Sequence, residues 1–334
     1  MVTWGTIEPV ESLQTRLRLD FGLRPAILAF NEWAVPGLGG AFFVRQLTWS
    51  CVGIRLAEEM NKPLMASRIA EALEAFASWI ALKRSNDYEK DDRVQGKRKF
   101  RDVDDVSFDA MTGGGAYVTV PFRRAATASL SGLDLCVRAE TRFNSLRLSR
   151  SGVALAQTVL SNRRVAGILH RFIKESSKAH SRIHDDVKYA LLPGDATEEE
   201  CSIVKTRLFS NSRRARVLQL LVQEDDALTS LQSSQGQLAF LNQITDTHHR
   251  AQLDACFAFE RVRSGALNGA QALADCIKAT SQTWTNIAAA LEVKAKFASL
   301  ARSSDELATK LRTLQGVPPE IIIFCDEQGG GQIA

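Results

Sequence analysis

Apolar side chains recur along most of this chain at helical spacing. Ile69, Leu73, Phe76 and Ile80 step by four, three and four, which predicts a helix from about Pro63 to Arg84 with one core-facing stripe. Phe42 to Met60 is denser. Phe42, Phe43, Leu47, Trp49, Val52, Ile54 and Leu56 fall on more than one face, so this helix is expected to be buried nearly all round or seated at an interface. Asn61-Lys62-Pro63 separates the two, and Pro63 suits the first turn of the second helix. A short amphipathic helix is expected over residues 162–176. Another starts at Thr197, because Thr197 and Glu200 have the spacing of a capping box. A third starts near Asn211 or Ser212 and carries Val217, Leu218, Leu220 and Leu221. From about Leu238 to Arg312 the pattern is almost continuously helical, with Gly265 and Gly269 read as breaks between helices.

Polar positions supply the punctuation. Ser85 to Asp105 is charged with little apolar periodicity and reads as a mobile surface loop. Trp33 to Gly40 contains Pro36-Gly37 and Gly39-Gly40, a tight corner. A phosphate cradle would need Gly-Lys-Ser/Thr after it or a G-x-G-x-x-G pattern, and neither follows, so the corner is expected to connect closely packed helices. Ser176 to Asp186 is polar, and Leu192 to Asp195 is a turn. Ile321 to Cys325, after Pro318-Pro319, reads as a lone strand or extended docking segment before a flexible tail.

One stretch has a mixed pattern. Pro121 to Leu130 can be a helix with Arg123 and Arg124 in its first turn, ended by Ser131-Gly132-Leu133. Leu135 to Arg138 has strand character, Glu140 to Arg142 can turn, and Phe143 to Leu148 can return as a second strand. Ser149-Arg150-Ser151-Gly152 then opens a helix carrying Val153, Leu155, Ala156, Val159 and Leu160. Ser149 is placed to cap that helix, and Gly152 to let it approach the hairpin. Helix, hairpin and the closing Leu148-Ser149-Arg150-Ser151-Gly152-Val153-Ala154-Leu155 resemble the winged helix-turn-helix family over about residues 106–160. The resemblance implies a recognition helix bearing Arg123 and Arg124. It also implies a hairpin whose flanking Arg142, Arg147 and Arg150 reach phosphates, with Arg138 beside them. It departs from the family pattern before the recognition helix: the earlier helices must come from Ile69–Arg84 and Val106–Thr112, across a long charged loop.

The expected fold is mainly α, with this winged-helix-like module in an N-terminal helical unit over residues 1–175. A helical bundle over 176–316 and an extended segment with a flexible tail over 317–334 follow. The 334 residues are 45% hydrophobic and 24% charged, enough to build such cores without staples. Net charge is only +4, but it is unevenly spread. Ten basic residues between Thr119 and Lys174 face only Asp134 and Glu140, an asymmetry that suits either a solvated face or a polyanion-binding one.

Candidate chemistry is sparse. The six cysteines include no CxxC pair, and scattered thiols fit a reducing compartment. No secretory leader or membrane span is visible, so a cytoplasmic location is expected. His180 and His184 stand four apart and could bind a metal if helical, but Ser176 to Asp186 is polar enough to be a loop, and the adjacent His248 and His249 point about 100° apart on a helix; solvent-facing histidines are expected. No nucleophile elbow is present. The expectation is therefore a protein with no catalytic residues, metal or cofactor: a subunit or adaptor of a larger intracellular, bacterial-type assembly that docks protein partners. The alternative is a DNA-binding regulator using the basic 119–174 segment. A further reading, an accessory protein of bacterial defence or a mobile element, rests on no particular residue.

Overall fold

A computed structural model describes residues 23–112, 117–138, 142–180, 184–194, 196–223, 227–279 and 291–321. The chain is mainly helical, with one two-stranded antiparallel sheet among the described residues. It divides into two compact units: Ala34–Arg250, and a second that unites Met1–Trp33 with Ala251–Ala334.

The larger unit is built on α2 (Val44–Glu59) and α3 (Ala66–Arg84), which pack along each other. Twelve of the sixteen residues of α2 are buried, which is the all-round burial that its apolar pattern predicts. The two backbones approach closely at Gly53, where a Cβ would lie 2.7 Å from Ala70. Polar side chains that α2 takes inside find partners, as buried polar groups generally do. Gln46 Nε2 donates to Gly40 O at 2.6 Å, and Trp49 Nε1 donates to Leu191 O at 3.0 Å. Thr48 Oγ1 donates to Glu200 Oε1 at 2.6 Å. Pro63–Met65 forms a 3-10 turn leading into α3, whose Ile69, Leu73, Phe76 and Ile80 are all buried. Phe76 stacks on Phe172 at 4.7 Å between centroids.

The segment read as a mobile charged loop is instead anchored. It holds a 3-10 turn at Asn86–Glu89 and α4 (Lys97–Phe100), with Val94 and Phe100 driven into the core. Two apolar residues are too few to make a periodicity, yet burying them is enough to pin a loop. α5 (Phe108–Thr112) follows, then α6 (Phe122–Gly132), the hairpin of β1 (Cys136–Arg138) and β2 (Leu146–Leu148), and α7 (Arg150–Leu160). Next come α8 (Arg163–Lys174), α9 (Asp185–Leu191), α10 (Glu198–Leu208), α11 (Ser212–Gln223), α12 (Ala227–Ser230) and α13 (Ser234–Asn242). The capping box at Thr197 and Glu200 is formed. The Gly-rich corner does connect closely packed elements: Gly40, at φ +88°, leaves no room for a Cβ, which would fall 2.1 Å from Ala125 O on α6.

α14 runs from Thr247 to Ala279 without interruption, so Gly265 and Gly269 do not break it; one glycine costs only about 1 kcal/mol in a helix that packs along its length. α15 spans Leu291–Arg312. In the second unit, α1 (Leu23–Ala34) packs on α14 through Phe30 and Phe259, stacked at 4.2 Å. Lys310 of α15 is ion-paired to Asp254. Ile321 is buried at a helical turn; residues 322–325 and the tail lie outside the described residues, as does the N-terminal segment 1–22. No described helix is long and apolar enough to cross a membrane.

Candidate nucleic-acid interface

Pro121, with extended backbone, starts α6, and α3 holds its first turn. Glu74 of α3 is fully buried and accepts the backbone N–H of Arg123 at 2.5 Å. Burial pushes its carboxyl up to about 8, against the pull of that N–H. The Arg123 side chain turns the same way. Its guanidinium pairs with Glu71, with Nε at 3.1 Å, and lies 6.0 Å from the Phe143 ring centroid. Arg123, expected with Arg124 on the outward face of a recognition helix, is thus part-buried between α3 and the hairpin.

Arg124 points elsewhere and is exposed. Phe122, Ala126, Ser129 and Leu130 of α6 face the core, and the Gly-rich corner covers Ala125 and Gly132. Helical geometry therefore leaves Arg124, Thr127, Ala128 and Ser131 as the least covered face. At the far end of the helix, Arg214 of α11 locks the corner in place. It is 1% exposed, pairs with Pro36 O, and donates to Gly132 O at 3.2 Å and Leu208 O at 2.7 Å.

The hairpin register pairs Cys136 with Leu148, Val137 with Arg147 and Arg138 with Leu146. Strand alternation turns Val137 and Arg147 outward while Leu146 is buried. Arg147 donates to the carbonyls of Leu146 at 3.0 Å and Asn144 at 3.3 Å, bracing its own turn. Arg142 and Arg150 are exposed, and the side chain of Arg138 lies outside the described residues. The closing motif works as its residues predict. Ser149 Oγ accepts Gly152 N–H at 3.2 Å and donates to Asp134 O at 2.6 Å. A Cβ on Gly152 would lie 1.9 Å from Leu135 O, so α7 meets the hairpin at backbone distance.

Charge accounting separates the arginines further. Of the two acids in the basic segment, Asp134 is paired to Arg207, and Glu140 lies outside the described residues. Among the described residues Arg124, Arg142 and Arg150 have no carboxylate partner. Arg163, Arg171 and Lys174 on α8 are also exposed.

Four charged residues central to the fold are buried, two of which, Arg45 and Glu74, lie inside apolar runs. Arg45, Glu74, Glu200 and Arg214 each have at most 1% exposure. The available signal was a charge inside a hydrophobic stripe, as in Leu73-Glu74-Ala75. Of the histidines, His180 and His184 lie in non-helical backbone, as the polar 176–186 stretch suggests, whereas His249 departs from expectation. His180 forms an isolated antiparallel bridge with Val106, and His184 caps α9, so the two do not share a helix. His249 is not solvent-facing: it is buried, with Nε2 donating to Ala34 O at 2.8 Å, and burial holds it below the usual histidine range. Among the described residues no three His, Cys, Asp or Glu side chains gather as a metal ion requires.

The module thus joins a braced helix to a braced hairpin, with outward cations on both. No family profile, curated protein or solved structure matches the chain.

Proposed function

We propose that the chain is a non-catalytic protein whose winged-helix-like module contacts duplex nucleic acid, with α6 as the groove-facing helix and the hairpin along the backbone. The supporting observation is that Arg124, Arg142 and Arg150 are exposed and, among the described residues, have no carboxylate partner, while the nearby acids Asp134 and Glu71 are already paired to Arg207 and Arg123. Uncompensated cations on one small module are the electrostatic footprint of a phosphate backbone. Arg124 and the small Thr127, Ala128 and Ser131 suit close approach of α6 to a groove. Such contacts position the protein without choosing a sequence.

A second reading rests on Val137, which is 63% exposed on the outer face of the hairpin beside Arg147. A large apolar residue at that position suits a protein partner, and the module would then dock this chain as a subunit of an assembly.

The test is binding of labelled duplex DNA across a salt series. Affinity should fall steeply with salt, and the log–log slope should shrink by about 1 for each arginine removed in Arg124→Ala, Arg142→Ala and Arg150→Ala. Arg123→Ala should lower stability and leave the salt slope unchanged. Absence of binding at low salt overturns the duplex reading; a Val137→Asp variant in a pull-down then tests the docking one.

A further inference from the structure

Phe42 opens onto solvent at the N-terminal end of α6 and is 69% exposed, more than any other aromatic side chain among the described residues. We infer that its ring covers thymine methyl groups in the major groove of a bound DNA duplex, giving α6 a sequence preference that phosphate contacts lack. The inference rests on the duplex reading and names the residue that would choose bases.

Three observations carry it. First, the ring is held in place. Phe42 N–H donates to Gln46 Oε1 at 2.9 Å, and Gln46 Nε2 donates in turn to Gly40 O at 2.6 Å and Phe122 O at 3.2 Å. One fully buried glutamine thus ties the backbone around Phe42 to the first turn of α6. The neighbouring Phe43 ring is fixed edge-on to Phe122 at 5.0 Å and Trp49 at 5.5 Å. The Phe42 ring meets Phe122 at a tilt of 59°, with centroids 6.1 Å apart, and no described ring stacks on its faces. An apolar surface presented on a fixed backbone loses little freedom when it is covered.

Second, Phe42 borders the exposed face of α6. The Gly-rich corner runs along one side of that helix: a Cβ on Gly37 would meet Gly132 at 2.7 Å, and one on Gly40 would meet Ala125 O. Ala125 and Gly132 are about two turns apart on one stripe. Ala128, between them, belongs with Arg124 to the least covered face. The chain therefore runs along the edge of that face toward its N-terminal end and presents Phe42 just past Ala125, at the turn that carries Arg124. Val120, 41% exposed, adds apolar surface to the same end of the helix.

Third, the chemistry of this end suits thymine beside phosphate. No acidic residue occurs from Ala34 to Ala57 or from Ala110 to Leu133, so nothing in these segments repels a phosphate or accepts from cytosine. Glu71 and Glu74 of α3 are engaged by Arg123. Of the groups that base pairs display in the major groove, the thymine C5-methyl is the apolar one, and an apolar ring gains most by covering it.

The test is binding of the full chain to two matched duplexes rich in A·T pairs, one with thymine and the other with uracil in its place, which removes only the C5-methyl. The native chain should bind the thymine duplex more tightly, by about fourfold for each methyl covered. Phe42→Ala should bind both alike. Its salt slope should be unchanged because no charge is lost, and its circular dichroism melt should be unchanged because the ring is mostly exposed. Arg124→Ala should lower the slope and keep the preference. Equal affinity of the native chain for both duplexes, or a preference that survives Phe42→Ala, overturns the inference and leaves the duplex reading in place. No binding to either duplex overturns both, and self-association that Phe42→Ala abolishes then places a second copy of the chain on the ring.

Discussion

The carboxyl of Glu74 on α3 accepts the backbone N–H of Arg123 in the first turn of α6, so a fully buried acid helps to cap the helix that carries Arg124. Desolvation raises its pKa from 4.5 to about 8, with the N–H of Arg123 opposing and the nearby Glu71 carboxylate adding to the rise. At neutral pH the folded protein therefore keeps this proton, and the unfolded chain has released it. The unfolded state binds fewer protons between those two values, so stability falls as pH rises from about 4.5 to about 8, by at most about 1.4 kcal/mol per pH unit. Glu74→Gln should remove this slope. Its urea midpoint should exceed that of the native chain near pH 8, and the gap should close toward pH 5. A gap independent of pH would mean that the acid does not titrate in this window.

Gly152 predicts a severe local effect. Gly152→Ala places a methyl group 1.9 Å from Leu135 O, an atom that also accepts Ser149 N–H at 3.0 Å. Neither backbone has room to yield without disturbing the hairpin closure. The variant should lose about 1–3 kcal/mol in urea unfolding, the range for overpacked and strained sites.

Glu200 and Thr197 share one capping box but should differ in cost. Thr197→Ala removes an ordinary cap, worth about 1 kcal/mol. Glu200 also accepts from Thr48 and pairs with Arg45 at 3.1 Å, where both side chains are at most 1% exposed. Glu200→Ala strands that guanidinium in the core and should cost about 3–5 kcal/mol. Arg45→Met/Glu200→Met should lose less than the sum of the two single changes, because no charge is then left unpaired.

Gly265 should respond in the opposite direction. It lies inside the continuous α14, and a Cβ there would meet Leu300 Cδ1 at an ordinary 3.5 Å. Gly265→Ala should raise the thermal midpoint, corresponding to about 0.5–1 kcal/mol of stabilisation. A lowered midpoint would mean that the helix bends at this position.

The local grammar of the fold was legible in the sequence. The stripe of Ile69, Leu73, Phe76 and Ile80, the buried helix after Phe43, the capping box at Thr197 and the turn from hairpin to helix at Ser149–Gly152 all follow from interactions within a few residues. Periodicity, caps and steric room are encoded at that range. Only tertiary structure decided which charges turn inward. Arg123 and Arg124 are adjacent and chemically identical, yet one is taken by Glu71 across 52 positions and the other faces solvent, because α3 lies against one side of α6. The same long-range packing pinned the charged segment through Val94 and Phe100, carried α14 through its glycines, and closed Phe30 onto Phe259. A sequence lists the charges, but their partners are chosen by burial, since a desolvated ion must be neutralised by whatever the fold brings to it.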